Sequence, residues 1–170
     1  KSSEISEIGL GCKENAAGRF RKFLEERKIR GKVFNHTGGP ISIYNKKQKI
    51  SNGNIFLVGE AATFVKASTL GGIIPSLISA KSLAESIIHG KSYKQEIKGL
   101  GREMRIHSRI RKVLDKFSNE DYDFLLKSMN NNRVKKALSE HSRDEYASNS
   151  FAFKLLLAQP LLTKFLFKAL

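Results

Sequence analysis

The spacing of hydrophobic positions changes twice along the chain. Between residues 14 and 28, Ala16, Ala17, Phe20, Phe23 and Leu24 recur at helical spacing, which predicts a helix with one apolar face. Glu14 near its start and Arg27, Lys28 and Arg30 near its end suit the helix dipole, and Gly31 is the expected stop. From residue 32 to 58 the pattern shortens to apolar runs divided by turn residues. Segments 33–35, 41–44 and 54–58 are predicted strands, with Gly38-Gly39-Pro40 and Ser51-Asn52-Gly53-Asn54 as turns between them. Ile55-Phe56-Leu57-Val58 is continuously apolar, as expected of a strand covered on both faces.

After Gly72 the helical period returns. Ile73, Leu77, Ala80, Ala84 and Ile87 or Ile88 form an apolar stripe, and Pro75 falls in the first turn, where a missing N–H is tolerated. A basic helix is predicted over 93–117. Ser118 is a good N-cap for the next helix, with Asp121 three residues on as in a capping box. Asn130-Asn131-Asn132 should break that helix, and two more helical pieces follow, the last split by Pro160. Residues 1–12 read as a short extended segment ending in Gly9-Leu10-Gly11, and no internal repeat is present.

Composition narrows the classes. A chain of 170 residues with 40% hydrophobic content fits one domain or a large piece of one, with enough apolar residues for a core. It begins with Lys1 rather than methionine, so it is read as processed or as an excerpt, and no secretory signal is visible. A single cysteine, Cys12, rules out an internal disulfide framework and a cysteine zinc cluster, fits a reducing compartment, and is expected to be a small buried residue. His36, His89, His107 and His141 are scattered without metal-ligand spacing. No Ser–His–Asp set and no paired-carboxylate site can be assigned from spacing, so no catalytic residue is named.

The net charge of +15 is spread along the chain. It is read either as a solvated lysine-rich surface or as attraction to phosphate-bearing partners. Lys94, Lys98, Arg102, Arg105, Arg109, Arg111 and Lys112 give the 91–116 region a cationic face, without the interleaved aromatics that base stacking requires. Nucleic acid is therefore not the expected partner. Residues 151–170 are strongly apolar, but three lysines and Pro160 argue against a bilayer-spanning helix. A membrane-surface helix and a segment docked on the protein body both remain open.

One stretch, 54–74, carries candidate chemistry. Gly59 would let backbone approach a ligand closely, and Glu60 presents a carboxylate at the end of a strand, able to accept hydroxyl hydrogen bonds. Gly71 and Gly72 leave the N–H groups of the following helix uncovered, a site for phosphate or an electron-rich ring oxygen. Spacing alone also allows a close-packed strand, turn and helix without a ligand.

The residues Gly59-Glu60-Ala61-Ala62, Val65-Lys66, Thr69, Gly71-Gly72-Ile73 and Leu77-Ile78-Ser79-Ala80-Lys81 stand in an order that resembles the FAD-binding motif of the geranylgeranyl reductase family. That motif runs from an apolar strand through G-D-A-A-G and a proline to G-G-G-I opening a helix. The chain departs from it at Glu60, where aspartate is usual, at Thr63 and Leu70, where glycine is usual, and at Ala67, where proline is usual. Leu70 is expected to crowd a flavin or to resist a left-handed backbone. Gly9-Leu10-Gly11 resembles the G-x-G that follows the family's substrate-pocket motif.

The resemblance implies an α+β fold, the C-terminal portion of a para-hydroxybenzoate hydroxylase-like FAD fold. Residues 1–53 would end a substrate-binding domain, 54–90 would form the C-terminal FAD-binding segment, and 91–170 a helical C-terminal region. It implies FAD contacts at Gly59, Glu60, Ala61, Gly71, Gly72 and Ile73, with Glu60 on the ribityl chain and the helix N-terminus facing the isoalloxazine, and substrate contacts at Gly9 and Gly11. The implied activity is reduction of carbon–carbon double bonds in geranylgeranyl chains of archaeal-type ether lipids, in the cytoplasm or at the membrane periphery. The dinucleotide fingerprint G-x-G-x-x-G is absent from the chain, so FAD should bind weakly or not at all unless a separate N-terminal FAD-binding polypeptide completes the site. Two alternatives stand beside this: a degenerate or split subunit without activity of its own, and a basic membrane- or nucleic-acid-associated helical module.

Overall fold

The computed structural model describes residues 5–140 and 157–168. Residues 141–156, which hold the start of the apolar tail, lie outside the described residues, as do 1–4 and 169–170. The chain divides into two compact units, Lys1–Gly39 and Pro40–Leu170.

The first unit carries helix α1, Ala16–Glu26. Asn15 caps it by accepting a hydrogen bond from the Gly18 N–H at 3.3 Å. The helix stops five residues before Gly31. Lys28 takes the left-handed position instead (φ 52°), while its own N–H donates to Glu25 and the Ile29 N–H donates to Leu24. These two bonds are the Schellman pattern usually built on glycine. No residue of α1 is buried, although its apolar stripe predicts a buried face. Phe20 stacks on His36 with centroids 6.4 Å apart. Segment 33–35 is not a strand; Val33 and Phe34 are exposed. Cys12 is exposed too, contrary to the expectation of burial, and its thiol donates to the Glu14 carbonyl.

The second unit is mostly helical with one small antiparallel sheet, an α+β arrangement. Strands β1 (Ser51–Asn52) and β2 (Ile55–Phe56) pair across the Gly53 turn, with Ser51 opposite Phe56 and Asn52 opposite Ile55. The apolar run 55–58 is not covered on both faces: Ile55 is 68% exposed, and no third strand joins the pair among the described residues. Segment 41–44 is not a strand either. Its N–H groups serve the loop that follows the hairpin rather than a ladder: Ser42 N–H to the Glu60 carboxylate and Tyr44 N–H to the Val65 carbonyl.

A 3-10 turn, Gly59–Ala62, leads through a loop to α2 (Ile73–His89), α3 (Tyr93–Glu96), α4 (Lys98–Leu114), α5 (Asn119–Met129) and α6 (Asn132–Ser139). Pro75 sits in the first turn of α2, as its missing N–H requires. The basic helix predicted over 93–117 is interrupted at Ile97, yet Tyr93, Ile97, Leu100, Met104 and His107 keep one buried face across the interruption. Ser118 and Asp121 form the full capping box at the start of α5. Asn130 and Asn131 break the chain before α6, where Asn131 accepts from the Arg133 N–H. Pro160 opens a 3-10 segment, Pro160–Lys168, that packs on α5, with Phe165 stacked on Phe117.

The core joins the loop after the hairpin to α3 and α4. Ala62, Phe64, Tyr93, Ile97, Leu100 and Met104 are buried together, with Tyr44, Ile50, Leu57, Val58 and Leu83 packed against them. Each large side chain so buried stabilises the fold by about 1.5–3 kcal/mol relative to exposure. The Tyr93 hydroxyl donates to the Leu57 carbonyl at 2.9 Å and ties the hairpin to α3; burial pushes its pKa above the usual phenol value. Among the described residues no helix is long and apolar enough to cross a membrane.

Candidate functional site

The chain leaving the hairpin packs against α2 at Gly59. Val58 is extended, and at Gly59 the backbone turns left-handed (φ 58°) into the 3-10 turn. The Gly59 N–H donates to the Ser79 hydroxyl at 2.9 Å. A Cβ at Gly59 would lie 2.7 Å from Ser76 Oγ and 3.0 Å from Ser76 Cβ. The close approach expected of this glycine is therefore made to α2, and both the space and the positive φ demand glycine. Glu60 follows on the exposed side, where its Oε1 accepts the Ser42 N–H at 3.2 Å. Ala61 is exposed beside it. Thr63 then adopts a left-handed conformation (φ 59°), and its hydroxyl accepts the Asn45 N–H.

The second half of the site is the turn 66–72. The Lys66 carbonyl accepts the Leu70 N–H at 2.8 Å, and the Lys66 N–H donates to the Gly71 carbonyl at 3.0 Å. Leu70, expected to resist a left-handed backbone, takes one nonetheless (φ 57°). Such a conformation costs a residue with a Cβ about 1–2 kcal/mol. Gly72 is the N-cap of α2; no side chain caps this end, and Pro75 has no N–H to offer. The first-turn amides therefore stand at the positive end of the helix dipole without a protein acceptor from a cap. Ile73 is 79% exposed. Because Gly59 packs on Ser76, one turn into α2, the 3-10 turn bearing Glu60 and the N-terminal turn of α2 are neighbours. Gly59, Glu60, Ala61, Gly71, Gly72 and Ile73 thus belong to one region. Gly9 and Gly11 lie in exposed, irregular chain of the first unit, and a Cβ at Gly9 would meet nothing within 4 Å.

A group that spacing does not reveal lies behind the turn. Lys66 is 4% exposed, and its Nζ stands 3.4 Å from Glu103 Oε1 on α4. Ser68 Oγ and His107 Nδ1 share a hydrogen bond at 2.6 Å. His107 Nε2 is buried with no hydrogen-bond partner, 3.8 Å from Glu103 Oε1. The imidazole beside it, and then the Lys66 ammonium, hold the Glu103 carboxyl below the usual carboxylate range against the opposing effect of burial. Ser68 and His107 are 39 positions apart, so only the fold brings them together. The available sequence signal was the stripe Ile97, Leu100, Met104, His107, which places the histidine inward on α4. Among the described residues no cluster of three or more His, Cys, Asp or Glu could hold a metal.

Compared with known proteins, the chain matches no family model, no curated protein and no solved structure.

Proposed function

We propose that the chain is part of an FAD-dependent reductase that hydrogenates carbon–carbon double bonds of geranylgeranyl chains in archaeal-type ether lipids. The observation that carries this reading is the backbone at Thr63 and Leu70. Both are left-handed, and both stand where the resembled motif has glycine. A backbone path that calls for glycine, kept at two positions that have lost it, is what descent from a glycine-bearing motif would leave.

The chemistry of the donors fits one half of a flavin. Glu60 uses Oε1 on the Ser42 N–H, and Oε2 can accept a ribityl hydroxyl. The uncapped amides at Gly72 and Ile73 suit an electron-rich ring oxygen. FAD, when bound and reduced, supplies the hydride for the alkene carbon. Exposed Arg102, Arg105 and Arg109 on α4 suit a phosphate headgroup, which fits a cytoplasmic protein working at the membrane periphery. Residues 54–90 hold only this half of the coenzyme site in our reading. The exposed outer side of α2 favours the split-subunit version, in which another polypeptide carries the ADP-binding half.

The test is FMN at millimolar concentration added to isotope-labelled chain, with inorganic phosphate as the control for charge alone. Amide resonances of Gly59, Glu60, Ala61, Gly71, Gly72 and Ile73 should move with FMN and not with phosphate. Glu60→Gln should weaken the effect about tenfold, the loss of one hydrogen bond to a charged group at about 1.5 kcal/mol. Shifts confined to other residues, or indifferent to Glu60→Gln, would end the flavin reading.

A further inference from the structure

The turn 66–72 is held both by its own backbone and by side chains of α4. The Lys66 backbone closes it on both sides, by the bonds to Leu70 and Gly71. The Lys66 side chain is buried and reaches Glu103; the Ser68 side chain reaches His107. Glu103 and His107 lie four residues apart on α4, so they present both anchors from one helix face. Across the turn, Leu70 holds a conformation that leucine does not choose unaided. Strained backbone persists only where its surroundings over-determine it. The contacts of Lys66 with Glu103 and of Ser68 with His107 are surroundings of that kind.

We propose that Glu103 and His107 are positioning residues for the N-terminus of α2. Through Lys66 and Ser68 they clasp the turn, keep Leu70 left-handed, and so fix the direction of the Gly71, Gly72 and Ile73 amides. If the clasp is released, Leu70 can relax to negative φ. The Gly71 peptide then rotates, and the Lys66 N–H loses its carbonyl. A glycine at this position would need no clasp, because both signs of φ are open to it. The chain thus uses a remote solution on α4 where glycine would be a local one. That this turn serves a flavin rests on the reading proposed above; the clasp itself does not.

The experiment uses the full chain without flavin. Amide hydrogen exchange is followed in Ser68→Ala and in His107→Gln, each alone and combined with Leu70→Gly. In either single variant the Lys66 and Leu70 amides should exchange about tenfold faster, while those of Phe124 and Leu125 on α5 keep their rates. The three-bond coupling of the Leu70 amide should leave its left-handed value. In the Leu70→Gly background the acceleration at Lys66 should vanish. Uniform acceleration across the chain, no acceleration, or acceleration undiminished by Leu70→Gly would overturn the proposal. FMN titration of the same samples reads the other claim separately: a clasp that behaves as stated in a chain whose site amides ignore FMN leaves the clasp standing and removes the flavin.

Discussion

The two sides of α2 differ in a way that inverts the usual pattern. Its inner side buries Pro75, Ser79 and Ser86, small or polar residues, with Leu83 partly buried against the core. Its outer side leaves Ile73, Leu77, Ile87 and Ile88 between 63% and 79% exposed. Around Ser76 the inner side is small because Gly59 comes so close that a larger side chain would not fit. It is polar because Ser79 answers the buried Gly59 N–H and Ser86 answers the Lys91 carbonyl. Hydrophobic spacing thus identifies a helix without saying which side faces the chain's own core. A contiguous aliphatic surface of this kind is a contact surface in most proteins that show one.

Substitutions on the two sides should behave oppositely. Gly59→Ala attacks the inner contact. It adds a left-handed penalty of about 1–2 kcal/mol and overpacking against Ser76 of about 1–3 kcal/mol, read as a lower urea midpoint. Glu103→Gln, behind the turn that leads into α2, should cost about 2 kcal/mol at neutral pH. That is below the about 3–5 kcal/mol of a fully buried pair, because the Glu103 side chain keeps 29% exposure. Its pH dependence has a definite sign. The folded pKa of Glu103 is lowered, so its contribution is complete above the unfolded value of about 4.3 and disappears as pH falls through the folded one. Urea midpoints of wild type and Glu103→Gln should therefore draw together as pH falls below the unfolded value of about 4.3 and through the lowered folded one.

Smaller effects sharpen the contrast. Leu70→Gly should stabilise the chain by about 0.5–1 kcal/mol, the relief of left-handed strain less the added entropy of the unfolded glycine. The double substitution Leu77→Gln with Ile87→Gln on the outer side should shift stability by no more than about 0.5 kcal/mol. A loss of several kcal/mol there, read by the same denaturation, would mean that the outer side is covered in solution.

Local signals were legible and remote ones were not. The Ser118–Asp121 capping box, Pro75 in a first turn, the turn at Gly53 and the breaks at Asn130 and Asn131 each depend on residues within a few positions, and the sequence displays them, although the strand before Gly53 is Ser51–Asn52, which spacing placed in the turn, and not 41–44. Segment 41–44 alternates like a strand, but its hydrogen-bond partners are Glu60 and Val65, so no ladder forms. Gly59 was singled out for a close backbone approach, and the close approach the structure shows is to Ser76. The Lys66, Ser68, Glu103 and His107 group was beyond local spacing because two separate segments build it. Nor could composition indicate that Leu70 would accept the conformation its side chain opposes.

The aliphatic side of α2 also sets the conditions under which molecules of this chain stay apart. With +15 of net charge, neighbouring copies repel at low ionic strength and the isoleucines stay separated. At about 1 M salt the screening distance shrinks to about 3 Å, and that protection is gone. Cationic repulsion is then the dispersant of this protein, and concentrated brine, often used to keep basic proteins in solution, is the condition most apt to make it precipitate.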